Sequence, residues 1–383
     1  MGIIAFLFFL LSPLLSVIFS VTGLIFDKKG KKIYCLLIAL FFGFVAYFYI
    51  PNTTEDLYYH LHTIDYIKNA ISSGTLISID LNEPFTLIIK YFVSIIGNRN
   101  LLQFIVGSLS YYIILYIVTD MVKDKKIFIR ILMVLFAIST FNFLTIVSNL
   151  FSTLGLLIFI YAVYREYYIK KKDFKNILLY ISSFLVHNSL IFPLYILIMY
   201  KIFYKKNKKF TSFKTILIIL IIPTIMSIIS KFQNIALFNS IYDYYLSYFI
   251  GNDNFKSMHT PLTIILYMMK MLPFFYVIVI NKLEHKELNE FENLGYIYLI
   301  SVLTLFLLTT FSIRFIPIVV IIGIKTIADF LENRKRSLLN FILVVLIIVC
   351  SFLFFRYQVI KTDFNKINID SDILIRNIVN IWK

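Results

Sequence analysis

Charge is scarce in this sequence. Only 15% of its 383 residues are Asp, Glu, Lys or Arg, against about 25% in an ordinary globular chain. Acids are the rarer sign, 21 against 37 Lys and Arg. Cysteine is nearly absent: Cys35 and Cys350 both lie inside apolar blocks. They share neither metal nor disulfide spacing and read as packing residues. GxxxxGK, GxGxxG and GxSxG are all missing, which argues against ATP-driven transport by this chain alone and against a serine nucleophile elbow. There is no internal repeat, no low-complexity tract and no linker to a soluble second domain.

Apolar residues fill the space, 60% of the chain. A soluble protein of this size always keeps a skin that must face water, so it cannot hide so much apolar surface. The apolar residues come in blocks such as LLIALFFGFVAYFYI and FILVVLIIVCSFLFF, apolar all round as lipid-facing or bundle helices are. The net charge of +16 is not a nucleic-acid signal, because its lysines sit in short loops between these blocks. The expected architecture is all-α: a polytopic transmembrane helix bundle of about 10–12 segments, each needing roughly 20 apolar residues. One integral membrane domain covers 1–383.

Candidate spans are 2–26, 33–50, 101–119, 127–147, 149–165, 214–230, 261–280, 294–312, 314–331 and 338–355. The first block lacks a charged n-region and a cleavage site, and reads as a single retained helix. Lysine and arginine cluster at 28–32, 123–130, 165–175, 201–214, 282–286 and 325–336. The positive-inside rule makes these loops cytoplasmic. The outer face then holds loops 51–83 and 231–260 and the tail 356–383, and both termini lie outside.

Two segments do not fit full spans. Residues 177–200 lie between basic loops and must cross an even number of times, yet provide only half the length for two crossings. Their middle reads His187-Asn188-Ser189, with Pro193 following. The spacing predicts two short helices meeting at His187-Asn188, a break tolerated at that depth only when buried in protein or lining a cavity. Residues 84–97 are likewise too short. They predict a re-entrant or interfacial helix on the outer face, opened by Pro84.

Ionisable residues within or beside the membrane are the candidates for chemistry. Arg314, in FSIRFIPIV, reads either as a planar clamp on a lipid-linked phosphate or pyrophosphate, or as an arginine snorkelling to headgroups. Glu55 and Asp56 open the first outer loop. Asp56 is a candidate base, sharing a helical face with His60, or part of a solvated surface. A metal site at Asp56, His60 and His62 has only weak spacing support, and no metal or other cofactor is expected. Glu83 is either a helix cap or a catalytic acid. His187 sits in the expected break. Lys90 and Lys270 can snorkel, pair or touch an anion. Arg99 is a second phosphate contact or an anchor. Tyr242 and Tyr245, with Tyr59, form either an interfacial aromatic belt or sugar contacts.

The order of these features resembles the EpsG-type proteins of bacterial exopolysaccharide and capsule clusters, which are similar to Wzy-type O-antigen polymerases. The outer acid with tyrosines reads TTEDLYYHLHTIDYI, and NEPFTLIIKYFVSII opens the short helix. LLYISSFLVHNSLIFPLYIL carries the His, and FSIRFIPIV the late Arg. The resemblance covers roughly residues 20–330. It implies a glycosyltransferase of the bacterial cytoplasmic membrane, acting on the outer face on undecaprenyl-pyrophosphate-linked oligosaccharide. It also implies membrane lipid and a chain-length regulator as partners, and no nucleic acid. By position it points to Asp56, Glu83, His187 and Arg314. One departure stands out: family members commonly carry an Arg where this chain reads IVSNLFSTLG. Two rivals remain at this stage, a polyprenyl-phosphate-sugar-dependent glycosyltransferase and a lipid-linked oligosaccharide flippase.

Overall fold

The computed structural model describes residues 2–27, 30–53, 55–75, 83–141, 143–206, 261–308, 314–333 and 337–361. All regular elements among them are helical apart from an isolated bridge residue at Tyr49. The chain forms two compact units, Met1–Tyr161 with Ser351–Lys383, and Ala162–Cys350. Two described helical stretches are long and apolar enough to cross a membrane, Leu101–Met121 and Leu150–Tyr168, among many shorter apolar helices.

In the first unit the helices run α1 Gly2–Leu11, α2 Pro13–Phe26, α3 Lys31–Tyr47, α4 Asp56–Ser73, α5 Pro84–Ile96, α6 Leu101–Met121, α7 Ile127–Thr140, α8 Phe143–Ser148 and α9 Leu150–Val163, which ends beyond the unit boundary. The block 2–26 is not the single helix expected from its sequence. Pro13 cannot donate to the preceding turn, and Ser12 takes extended backbone and caps α2 through its Oγ, 3.5 Å from the Leu15 amide. The two helices then fold back on each other. Ser16 Oγ donates to the Ala5 carbonyl at 2.9 Å, and the Phe8 and Phe19 rings stack at 4.3 Å. In one straight helix residues 5 and 16 would stand about 16 Å apart. Gly2 consequently ends beside Ile33, at the Lys31 end of α3.

α3 and α6 form the central pair of this unit. Small residues let them approach: a Cβ at Gly43 would come within 2.9 Å of the Phe104 carbonyl oxygen, and one at Gly107 within 3.2 Å of Ala46. Tyr34 is fully buried against Gly23 and Gly30 and donates to Asp27 Oδ2 at 2.7 Å.

The expected outer loop 51–83 contains a helix. Leu57, Leu61, Ile64, Ile67 and Ala70 recur at helical spacing and are buried along one face of α4. α5 starts at Pro84, as the sequence suggested, and stops at Gly97, whose φ of 83° suits a left-handed cap. Ser94 Oγ donates to the Ile64 carbonyl at 3.1 Å and Lys68 Nζ to the Gly97 carbonyl at 3.2 Å, binding α4 to α5.

In the second unit, α9 passes into a π-helical turn, Tyr164–Tyr168. Then come α10 Phe174–Val186, a 3-10 turn Asn188–Leu190, α11 Ile191–Lys206, α12 Pro261–Met269, α13 Leu272–Leu283, α14 Glu290–Leu308 and α15 Ile316–Asn333; α16 Leu338–Lys361 follows. The expected span 261–280 is interrupted at Lys270-Met271, where Pro273 opens α13. The expected span 127–147 is likewise divided between α7 and α8. The π turn inserts an extra residue into the helix. Within it Glu166 is buried, accepting from Tyr180 of α10 at 2.8 Å and Lys201 of α11 at 2.8 Å. One carboxylate therefore ties both arms of the broken segment to α9. Tyr298 of α14 donates to the Pro193 carbonyl at 2.8 Å and holds the start of α11.

Candidate functional site

In the first unit, His60 of α4 and Lys90 of α5 meet at Phe151, near the beginning of α9. Asp56 is the first residue of α4 and is exposed. His60 lies one turn on, its ring edge-on to Phe151 at 4.9 Å. Lys90 of α5 places Nζ 5.7 Å from the centroid of the same Phe151 ring. Burial, with the nearby Lys90 charge second, pushes the His60 pKa down to about 3. At neutral pH this imidazole is uncharged and a poor proton acceptor, suited to hydrogen bonding rather than general base work. The sequence marks His60 as Asp56's neighbour on one helical face and as part of a weakly spaced set with His62. Its meeting with Lys90 and Phe151 joins three elements distant in sequence.

Glu83 stands at the N-cap of α5, half-buried, but its side chain makes no capping hydrogen bond. Arg99 is exposed and pairs with Asp65 at 2.5 Å, joining the start of α6 to α4. Tyr59 is 62% exposed, and Tyr58 packs on His62 at 4.2 Å. Among the described residues no His, Cys, Asp and Glu cluster could hold a metal. The start of α4 is braced by Tyr49, whose hydroxyl donates to Glu55 at 2.8 Å and whose carbonyl accepts from Gln103 at 2.9 Å.

In the second unit, α10 and α11 break at His187, where the sequence placed the interruption. His187 is extended, with φ −157° and ψ 124°. Its Nδ1 accepts the Ser189 amide at 3.2 Å and lies 2.8 Å from Ser189 Oγ. A ring nitrogen that accepts a backbone amide carries no proton, so the neutral ring bears its hydrogen on Nε2. His187 therefore presents a donor rather than a base. Asn188 is 7% exposed, and its Oδ1 is buried with no hydrogen-bond partner among the described residues. An unmatched acceptor of this kind calls for a hydroxyl or a water.

Arg314 opens a short 3-10 turn, Arg314-Phe315, just before α15. Phe315 is buried and packs against Phe192 at 5.1 Å. Phe192 lies five residues beyond His187, so the broken helix and the Arg314 turn are neighbours within this unit. Tyr242 and Tyr245 lie outside the described residues.

An all-helical chain rich in apolar helices defines the class, a membrane protein. The chain belongs to the EpsG family, a family of polysaccharide polymerases, whose sequence profile matches residues 32–368. No curated protein and no solved structure matches the chain.

Proposed function

We propose that this protein polymerises lipid-linked oligosaccharide repeat units into a surface polysaccharide. The growing glycan leaves one undecaprenyl-pyrophosphate carrier and is transferred to the sugar end of another lipid-linked unit. Family membership supports the polymerase reading. The observation that carries the assignment of residues is the His187 break beside the Arg314 turn. Supporting this reading are the His187 ring, whose Nδ1 accepts the Ser189 amide, and the Phe192–Phe315 contact, which brings the backbone next to Arg314 beside the start of α11.

The acceptor hydroxyl oxygen attacks the anomeric carbon, forming the new glycosidic bond. The bond from that carbon to the pyrophosphate oxygen breaks, and its electron pair leaves with undecaprenyl pyrophosphate. The hydroxyl proton passes to a general base, and the anomeric configuration inverts. Arg314 balances the departing pyrophosphate through its planar fork, and His187 Nε2–H donates to it. In the first unit Asp56 and Glu83 are proposed as acid–base carboxylates, Arg99, paired with Asp65, as a phosphate contact and Tyr59 as a sugar contact; Tyr242 and Tyr245 are further proposed sugar contacts. No metal is assigned to the reaction.

The proposed setting is the cytoplasmic membrane, with one multi-pass integral domain over 1–383 and chemistry on the outer face. The carboxyl terminus lies outside. The α1–α2 hairpin favours an amino terminus on the same face as the basic loop at 28–32, in place of the outer terminus expected from one straight helix. A chain-length regulator is the expected protein partner.

Arg314→Ala should abolish long polymer while single lipid-linked repeats persist, at normal protein level. Unchanged chain length with normal expression would refute the assignment. Loss of one side sugar with normal length would favour the monosaccharide-transfer reading instead.

A further inference from the structure

The first unit contains a cleft of about 90 Å³ that the proposed reaction does not use. Its walls come from α2 and α7 and from the facing ends of α3 and α6, with Val21, Ile25, Val134, Leu135 and Ile138 making an apolar strip. One end is charged and is lined by Asp27, Lys31, Lys123 and Arg130. Lys31 pairs with Asp120, and Lys123 stands 3.6 Å from the same Asp120 oxygen. Asp27 is engaged by the Tyr34 hydroxyl. Arg130 is 8% exposed and donates Nη2 to the Leu24 carbonyl at 3.0 Å, capping the last turn of α2. Among the described residues it forms no ion pair. Three cations thus meet two carboxylates, and the most buried cation has a carbonyl, not a charge, as its partner.

We propose that this cleft binds one anionic glycerophospholipid, its phosphate at Arg130 and Lys123 and one acyl chain along the α2–α7 strip. A buried guanidinium without a counter-charge is costly, and a phosphate supplies both the charge and a two-oxygen acceptor. The apolar strip continuing from the charged end suits an amphiphile better than a free ion. The basic loops at 28–32 and 123–130 give this end the charge that attracts the anionic surface of the cytoplasmic leaflet. A zwitterionic headgroup would bring its own ammonium against Lys31 and Lys123, so the site discriminates by net charge.

The test is native mass spectrometry of the full-length protein equilibrated with equal phosphatidylglycerol and phosphatidylcholine. Phosphatidylglycerol should be retained preferentially as a single bound copy. Lys123→Gln should weaken that retention about fivefold, the effect of one cation at an anionic surface. Arg130→Gln should weaken it further, but it also removes the cap on α2. Lys123, with its side chain 49% exposed, therefore carries the test alone. Inorganic phosphate at millimolar concentration should not displace the lipid. Equal retention of both lipids, unaltered retention in Lys123→Gln, or displacement by inorganic phosphate would each overturn the proposal.

Discussion

His187 has two separable jobs, and two substitutions tell them apart. Nδ1 holds the Ser189 amide and hydroxyl, which shapes the turn between α10 and α11. Nε2–H is the atom assigned to the departing pyrophosphate. Asn can offer Oδ1 where Nδ1 stands but has nothing that reaches where Nε2 points. His187→Asn should therefore keep the turn, with stability within a few tenths of a kcal/mol of the native protein. His187→Ala should lose about 1 kcal/mol, the typical cost of removing a side-chain cap. Both should lose polymerisation by about 10²–10³-fold, the usual effect of deleting one donor aimed at developing negative charge. Thermal unfolding in detergent reads the first quantity, and the rate of ladder growth from lipid-linked repeat units reads the second. If His187→Asn polymerises like the native protein, the imidazole is a cap and nothing more. If His187→Ala is as stable as His187→Asn, the cap itself is unimportant and the account of the break is wrong.

Gly43→Ala should destabilise the α3–α6 pair by about 1–3 kcal/mol through overpacking, since the new Cβ would sit 2.9 Å from the Phe104 carbonyl oxygen. An unchanged melting temperature would contradict that packing. Glu166→Ala should cost about 2 kcal/mol by leaving the Tyr180 phenol without its acceptor. Glu166→Gln, which keeps an acceptor there, should cost less, and equal losses would show that the hydrogen bond is not the important contact. His60, with a folded pKa near 3 against an ordinary value of 6.5, binds fewer protons folded than unfolded between those limits. Stability should therefore fall as pH drops from about 6.5 toward 3, by up to about 1.4 kcal/mol per pH unit. His60→Phe should remove that component from a pH series of unfolding curves; an unaltered series would show that His60 is not buried neutral.

The features legible in the sequence were those carried by one residue and its immediate neighbours. Pro84 and Gly97 bound α5 because one lacks a donor and the other accepts a left-handed backbone. His187-Asn188-Ser189 interrupts an apolar run too short for two crossings, and the helix breaks there. The hairpin at Pro13 was hidden because a long apolar block has the same composition whether it runs straight or turns back. The helix at Asp56–Ser73 was masked by Tyr, His and Lys on its exposed side, although its buried positions keep helical spacing. Glu166 looked like one more residue of a basic loop. Its burial follows from the π turn and from partners 14 and 35 residues away, which no local pattern announces. The meeting of His60, Lys90 and Phe151 was out of reach for the same reason.

The most direct measurement is the identity and sidedness of the lipid-linked species that accumulates when the gene is deleted. A repeat-unit polymerase predicts single complete repeats on undecaprenyl pyrophosphate, accessible from the outer face of the membrane. Complete repeats confined to the cytoplasmic face, or polymer of normal length lacking one sugar, would contradict it.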